Sequence, residues 1–61
     1  MKVGSLVRVK STRDGDSEWV VKVYKERTPV LLLKHDIPWG MILHEGRHKY
    51  IRLWQLEVVS G

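Results

Sequence analysis

Between Leu43 and Ile51 the chain reads LHEGRHKYI, and His44-Glu45-Gly46-Arg47-His48 spells H-E-x-x-H. On a helix that spacing stacks two histidines on one face. There they bind one zinc ion and set the glutamate beside the metal-bound water. Gly46 in mid-motif costs a helix roughly 1 kcal/mol, and the flanking residues alternate apolar and polar as a strand does. A hairpin fits better. Leu43-His44-Glu45-Gly46 reads as a type I turn, with Gly46 in the left-handed position of a G1 bulge. That register pairs Leu43 with Arg47, Ile42 with His48, Met41 with Lys49 and Gly40 with Tyr50. It sends Trp39, Met41, Leu43, Ile51 and Leu53 to one face, leaves His44 at the loop tip and puts His48 on a strand. The two histidines then share no metal.

The other stretches with chemical potential are weaker. DGDSE, Asp14 to Glu18, places carboxylates at alternate positions like the start of a calcium loop. It lacks the glycine at position six and the acid at position twelve that such a loop needs, and reads as a solvated turn. No Gly-rich loop is present to cradle a phosphate, and no serine or histidine has a local partner that would activate it. The sequence therefore predicts no catalytic residue, no metal, no cofactor and no small-molecule substrate.

The elements that position these residues belong to one small domain spanning residues 1–61. A chain of this size buries only about 60% of the surface it exposes when unfolded, so its core must be compact. With no cysteine, neither a disulfide nor a thiolate metal site can brace it. MKVGSLVRVK lacks the apolar run of a signal peptide, and no segment is long enough to span a membrane. A cytoplasmic location is the expectation. Eleven Lys and Arg against seven Asp and Glu give +4, a mild attraction for polyanions.

Alternation with period two recurs between turn signals, and no helical period is sustained. SLVRVKS and EWVVKVYK read as the first two strands, the latter with Trp19, Val21 and Val23 on one face. Pro29 ends it, because proline gives no amide to a ladder. VLLLKH is a third strand, HDIP a corner, and WGMIL and RHKYIRL a fourth and fifth. WQL suits a single 3₁₀ turn, and EVV closes the chain. Short strands with little helix hide their edges by curling into a barrel.

MKVGSLVRVK at one end and LWQLEVVS at the other resemble the small SH3-like barrel proteins common in bacteriophage genomes. In that family the opening strand reads V-G-x-L-V-R, and L-E-V follows a one-turn 3₁₀ segment. Similar openings occur in KOW-type ribosomal and transcription-factor barrels, whose second strand has an early glycine where this chain has Trp19 and Val20. Plasmid-encoded dihydrofolate reductases of this barrel type build a site between subunits on a V-Q-I-Y strand; the nearest strand here reads Tyr50-Ile51-Arg52-Leu53. The resemblance implies an all-β, five-stranded SH3-like barrel with a short 3₁₀ turn before the last strand, and no particular activity. The expected core is Val7, Val9, Trp19, Val21, Val23, Leu31, Leu33, Met41, Leu43, Ile51, Leu53, Leu56 and Val58, with Leu6 and Trp39 helping to close it.

With Ile51 and Leu53 inward, His48, Tyr50, Arg52 and Trp54 point outward. Aromatic and basic groups in alternation stack bases and neutralise phosphates. Arg8 and Lys10 on the first strand, and Lys22 with Tyr24 on the second, extend that surface. A structural role competes: Tyr50 opposite Gly40 would cover a bare glycine, and Trp54 would cap the barrel. The leading expectation is a non-catalytic binding module for nucleic acid. The alternative is a protein partner or a homo-oligomer. Three tryptophans are many for so small a core, and the apolar run Val30-Leu31-Leu32-Leu33 suggests a strand covered on both faces.

Overall fold

Val7 and Val9 alternate with Leu6 and Arg8, and this period-two pattern forms β1, Leu6–Val9. The computed structural model describes residues 2–60. After β1 come α1 (Glu18–Glu26), β2 (Val30–Asp36), β3 (Trp39–His44), β4 (Arg47–Arg52), a 3₁₀ turn (Leu53–Gln55) and β5 (Leu56–Ser60). The five strands make one antiparallel sheet in the order β4-β3-β2-β1-β5. Among the described residues no ladder joins β4 to β5, so the sheet is not closed and both outer strands keep a free edge.

The first correction concerns EWVVKVYK, which is helix and not strand. Trp19 and Val23 share a face at either period, so the choice falls between Val20 and Val21. Val20 is buried together with Val23, and Val21 is only half-buried. That stripe is helical. Glu18 in the first turn and Lys25 in the last complement the helix dipole. Glu18, Lys22 and Glu26 stand four residues apart with alternating charge. At the C-terminus the Arg27 amide donates to the Tyr24 carbonyl and the Thr28 amide to the Val23 carbonyl, each at 3.3 Å. This is a Schellman cap. It holds Arg27 in the left-handed region at φ 54°, a conformation that costs a non-glycine residue roughly 1–2 kcal/mol.

The second correction is one of register. Glu45 and Gly46 both have positive φ, 51° and 73°, and His44 pairs with Arg47. The turn is therefore a two-residue hairpin of type I′ and not a type I turn with a bulge. Every β3–β4 pair slips by one relative to the expected register, and β3 turns over. Gly40 and Ile42 face the core, while Trp39, half-buried Met41 and Leu43 take the other face. Tyr50 lies opposite Met41 and not Gly40.

The observed core is Val7, Val9, Val20, Val23, Val30, Leu32, Ile42, Ile51 and Leu56, with Trp19 and Leu53 packed against it. Of the expected core, Val21, Leu31, Leu33 and Met41 are half-buried, and Leu43, Val58, Leu6 and Trp39 are exposed. On β2 the inward residues are Val30 and Leu32. The register shift between Leu32 and Lys34 marks Leu33 as a bulge. Gly40 admits this packing, because a Cβ there would lie 2.9 Å from Leu53 Cδ2 and 3.3 Å from Leu32 Cδ1.

Two substitutions check these assignments by thermal unfolding. Glu45→Asn, which suits the left-handed turn position, raises stability by about 0.5 kcal/mol; a bulged type I turn would gain nothing. Gly40→Val lowers stability by about 2 kcal/mol through overpacking against Leu53 and Leu32, a penalty absent if Gly40 faced solvent.

Candidate nucleic-acid interface

The overturned β3 brings Trp39 across from Arg52 on the face away from the core. The Arg52 guanidinium carbon sits 4.7 Å from the Trp39 ring centroid. The next pair on that face is Met41 with Tyr50, whose side chain is 65% exposed, and the next is Leu43 with His48. His48, Tyr50 and Arg52 thus share one face of β4, as their alternation with Lys49 and Ile51 requires.

The other two tryptophans also carry cations. Trp54, on the 3₁₀ turn and exposed, has the Arg13 guanidinium 5.5 Å from its centroid. Trp19, on α1, has the Lys49 ammonium at 4.9 Å and the His44 ring at 5.7 Å. Contacts of this type contribute about 0.5–1 kcal/mol each when exposed. His44 lies on the core side of β3 and His48 on the outer side of β4, so the H-E-x-x-H string brings no two histidines together. Among the described residues, no group of three His, Cys, Asp or Glu side chains could hold a metal ion.

A hollow of about 310 Å³ runs between the segment 13–17, Trp19, and the β3–β4 residues Trp39, Tyr50 and Arg52. Its loop wall is fixed from below. The Asp16 amide donates to the Arg13 carbonyl at 3.2 Å, and the Arg13 amide donates to Asp16 Oδ2 at 2.8 Å. Gly15 at φ 90° supplies the left-handed third position of that turn. Gln55, buried in the 3₁₀ turn, donates through Nε2 to Asp16 Oδ2 at 2.9 Å and to the Ser11 carbonyl at 3.3 Å. The Gln55 backbone carbonyl accepts from the Lys10 amide at 2.7 Å.

The remaining expected site residues lie elsewhere. A second hollow, of about 380 Å³, is lined by Arg8, Lys10, Tyr24, Lys25, Arg27 and Glu57 among others, and shares no lining residue with the first. Arg8 Nε and Nη2 donate to Glu57 Oε1 at 2.9 and 2.6 Å. Lys22 and Tyr24 sit on α1 and not on a second strand; Lys22 is exposed on a stretch of helix with Glu18, Val21 and Glu26. The single expected surface is therefore divided, with Arg8, Lys10 and Tyr24 at the second hollow and Lys22 at neither. Sequence reasoning missed Arg13, Lys25 and Arg27, which sit in or beside turns. It also set Trp39 to help close the core, whereas Trp39 is exposed; Trp19 does pack against the core. The exposure of Trp39 follows from the β3 register set by the turn at Glu45-Gly46, a pair that fits either turn type.

No protein-family model matches the chain, and no curated protein and no solved structure matches it either. Among the described residues, no helix is long and apolar enough to cross a membrane.

Gln55→Ala takes the Nε2 donor from the Ser11 carbonyl and one of two donors from the Asp16 carboxylate, which keeps the Arg13 amide. The expected loss is about 2 kcal/mol of stability, with faster amide exchange over residues 11–16. Unchanged exchange in that segment would show that Gln55 does not hold the loop.

Proposed function

We propose that this chain is a non-catalytic nucleic-acid-binding module that recognises single strands, and that its sheet is an open form of the SH3-like barrel. The barrel reading is supported by the strand order, by the 3₁₀ turn immediately before the last strand, and by the resemblance of the two chain ends to the phage-type proteins. The binding reading is carried by one observation. The outer Trp39–Arg52 pair stands beside exposed Tyr50, and Trp54 with Arg13 presents a second aromatic–guanidinium pair. Aromatic rings and guanidinium planes both stack unpaired bases, and the cations neutralise the adjoining phosphates. Stacking of this kind is tolerant of sequence, so binding is expected to be weakly selective.

A second reading has its own support. Leu6, Leu31 and Leu43 pair across β1, β2 and β3, and Leu6 and Leu43 are exposed. That row of leucines away from the core fits a homo-oligomeric contact.

The two readings separate in solution. Single-stranded oligonucleotides should move the Trp39 and Trp54 indole signals and the Tyr50 ring signals in an NMR titration, and duplex of the same length should move them less. Trp39→Ala should weaken binding about fivefold, the lower end for loss of one base stack. Affinity should fall steeply from about 50 to 200 mM salt. Signals unmoved by any oligonucleotide would sink the binding reading, and a strict monomer by light scattering would sink the oligomer.

A further inference from the structure

The second hollow collects most of the chain's charge imbalance into one place. Arg8 and Lys10 reach it from β1 and the residue beyond, Lys25 and Arg27 from the last turn and cap of α1. Glu57 on β5 is the one carboxylate among its lining residues, and it is engaged by Arg8. That bond holds the Arg8 guanidinium in place through Nε and Nη2. Among the described residues, Nη1 donates to no protein group. Tyr24 adds an aromatic wall and a hydroxyl.

Arg27 is the informative member. Its backbone sits in the left-handed region where a Schellman cap favours glycine, so this position keeps a long cationic side chain against its backbone preference. Strain held at a charged residue in a concave site points to a role for the side chain. The helix-end carbonyls of Val23 and Tyr24 are meanwhile occupied by the Thr28 and Arg27 amides, which lowers their opposition to an anion.

We infer that this hollow is a phosphate-monoester site, in which Arg8, Lys10, Lys25 and Arg27 surround the anion and Arg27 is its positioning cation. The surplus of positive charge suits a dianion better than the single charge of a backbone diester. A monoester has one free end to enter a hollow, whereas a diester is flanked by sugars on both sides. The same chemistry is met in free inorganic phosphate and in the terminal phosphate of a nucleic-acid strand. The inference shares no lining residue with the aromatic face and does not depend on it.

The test titrates the full chain with inorganic phosphate, with chloride at matched ionic strength, and with one short oligothymidylate carrying or lacking a 5′-phosphate. Phosphate should move the amide signals of Lys10, Lys25 and Arg27, and chloride should not. The 5′-phosphorylated strand should bind about tenfold more tightly than its unphosphorylated twin, the scale of one charged hydrogen bond. Equal affinity of the two strands, with phosphate still bound, would keep the site and assign it to the free anion. Arg27→Gln, which retains the backbone strain, should weaken phosphate binding several-fold. Arg27→Gly should weaken it while raising the melting temperature. Chloride shifts equal to those of phosphate, or wild-type phosphate affinity in both Arg27 variants, would overturn the inference. Trp39→Ala separates the two surfaces, since it should leave the phosphate response intact whatever it does to oligonucleotide binding.

Discussion

The buried Gln55 amide is the constraint on which the aromatic face depends. A short sheet cannot order a long surface segment by itself, and the chain between β1 and α1 has no ladder of its own. Gln55 supplies the missing partners from within the 3₁₀ turn, giving two hydrogen bonds to that segment through Nε2 and accepting one from the Lys10 amide at its backbone carbonyl. Gln55 itself is buried, so its Nε2 would be costly to leave unpaired. Arg13 is set over Trp54 and the loop wall faces Trp39 because this one side chain ties the segment to the strand junction.

The positions of the tryptophans follow from competition between packing and register. Gly40 gives its space on the core side to Leu53 and Leu32. The core there is filled by aliphatic side chains, and Trp39, next along β3, must take the opposite face. Each tryptophan then shields part of its ring beneath a cation. Such pairing reduces exposed apolar area while keeping a flat, charged platform in water.

The strands at the two ends of the chain, the 3₁₀ turn and the β3–β4 hairpin were legible in the sequence, because alternation and turn residues agreed there. Leu33 blurred β2, since a bulge puts apolar residues at both parities. α1 was misread because Trp19 and Val23 satisfy both periods and valine favours strands. The largest error came from the smallest difference. Glu45-Gly46 serves a type I′ turn as readily as it serves a bulged one, and one residue of slip exchanged Trp39, Met41 and Leu43 with Gly40 and Ile42. The outward set His48, Tyr50 and Arg52 was readable because β4 kept its parity. Trp39 and Arg13 were not, since one depends on register and the other on a tether from 39 residues away.

The two free edges of the sheet have unlike chemistry. β4 begins with Arg47 and carries Lys49 and Arg52, whereas β5 ends in Val58, Val59 and Ser60. Charge along an edge repels an incoming strand, and apolar residues invite one. A strand added to the sheet would therefore meet more charge along β4 than along the last residues of β5. Two copies joined β5 to β5 would present only β4 edges outward. The assembly would terminate at a symmetric pair and not run on into a fibre.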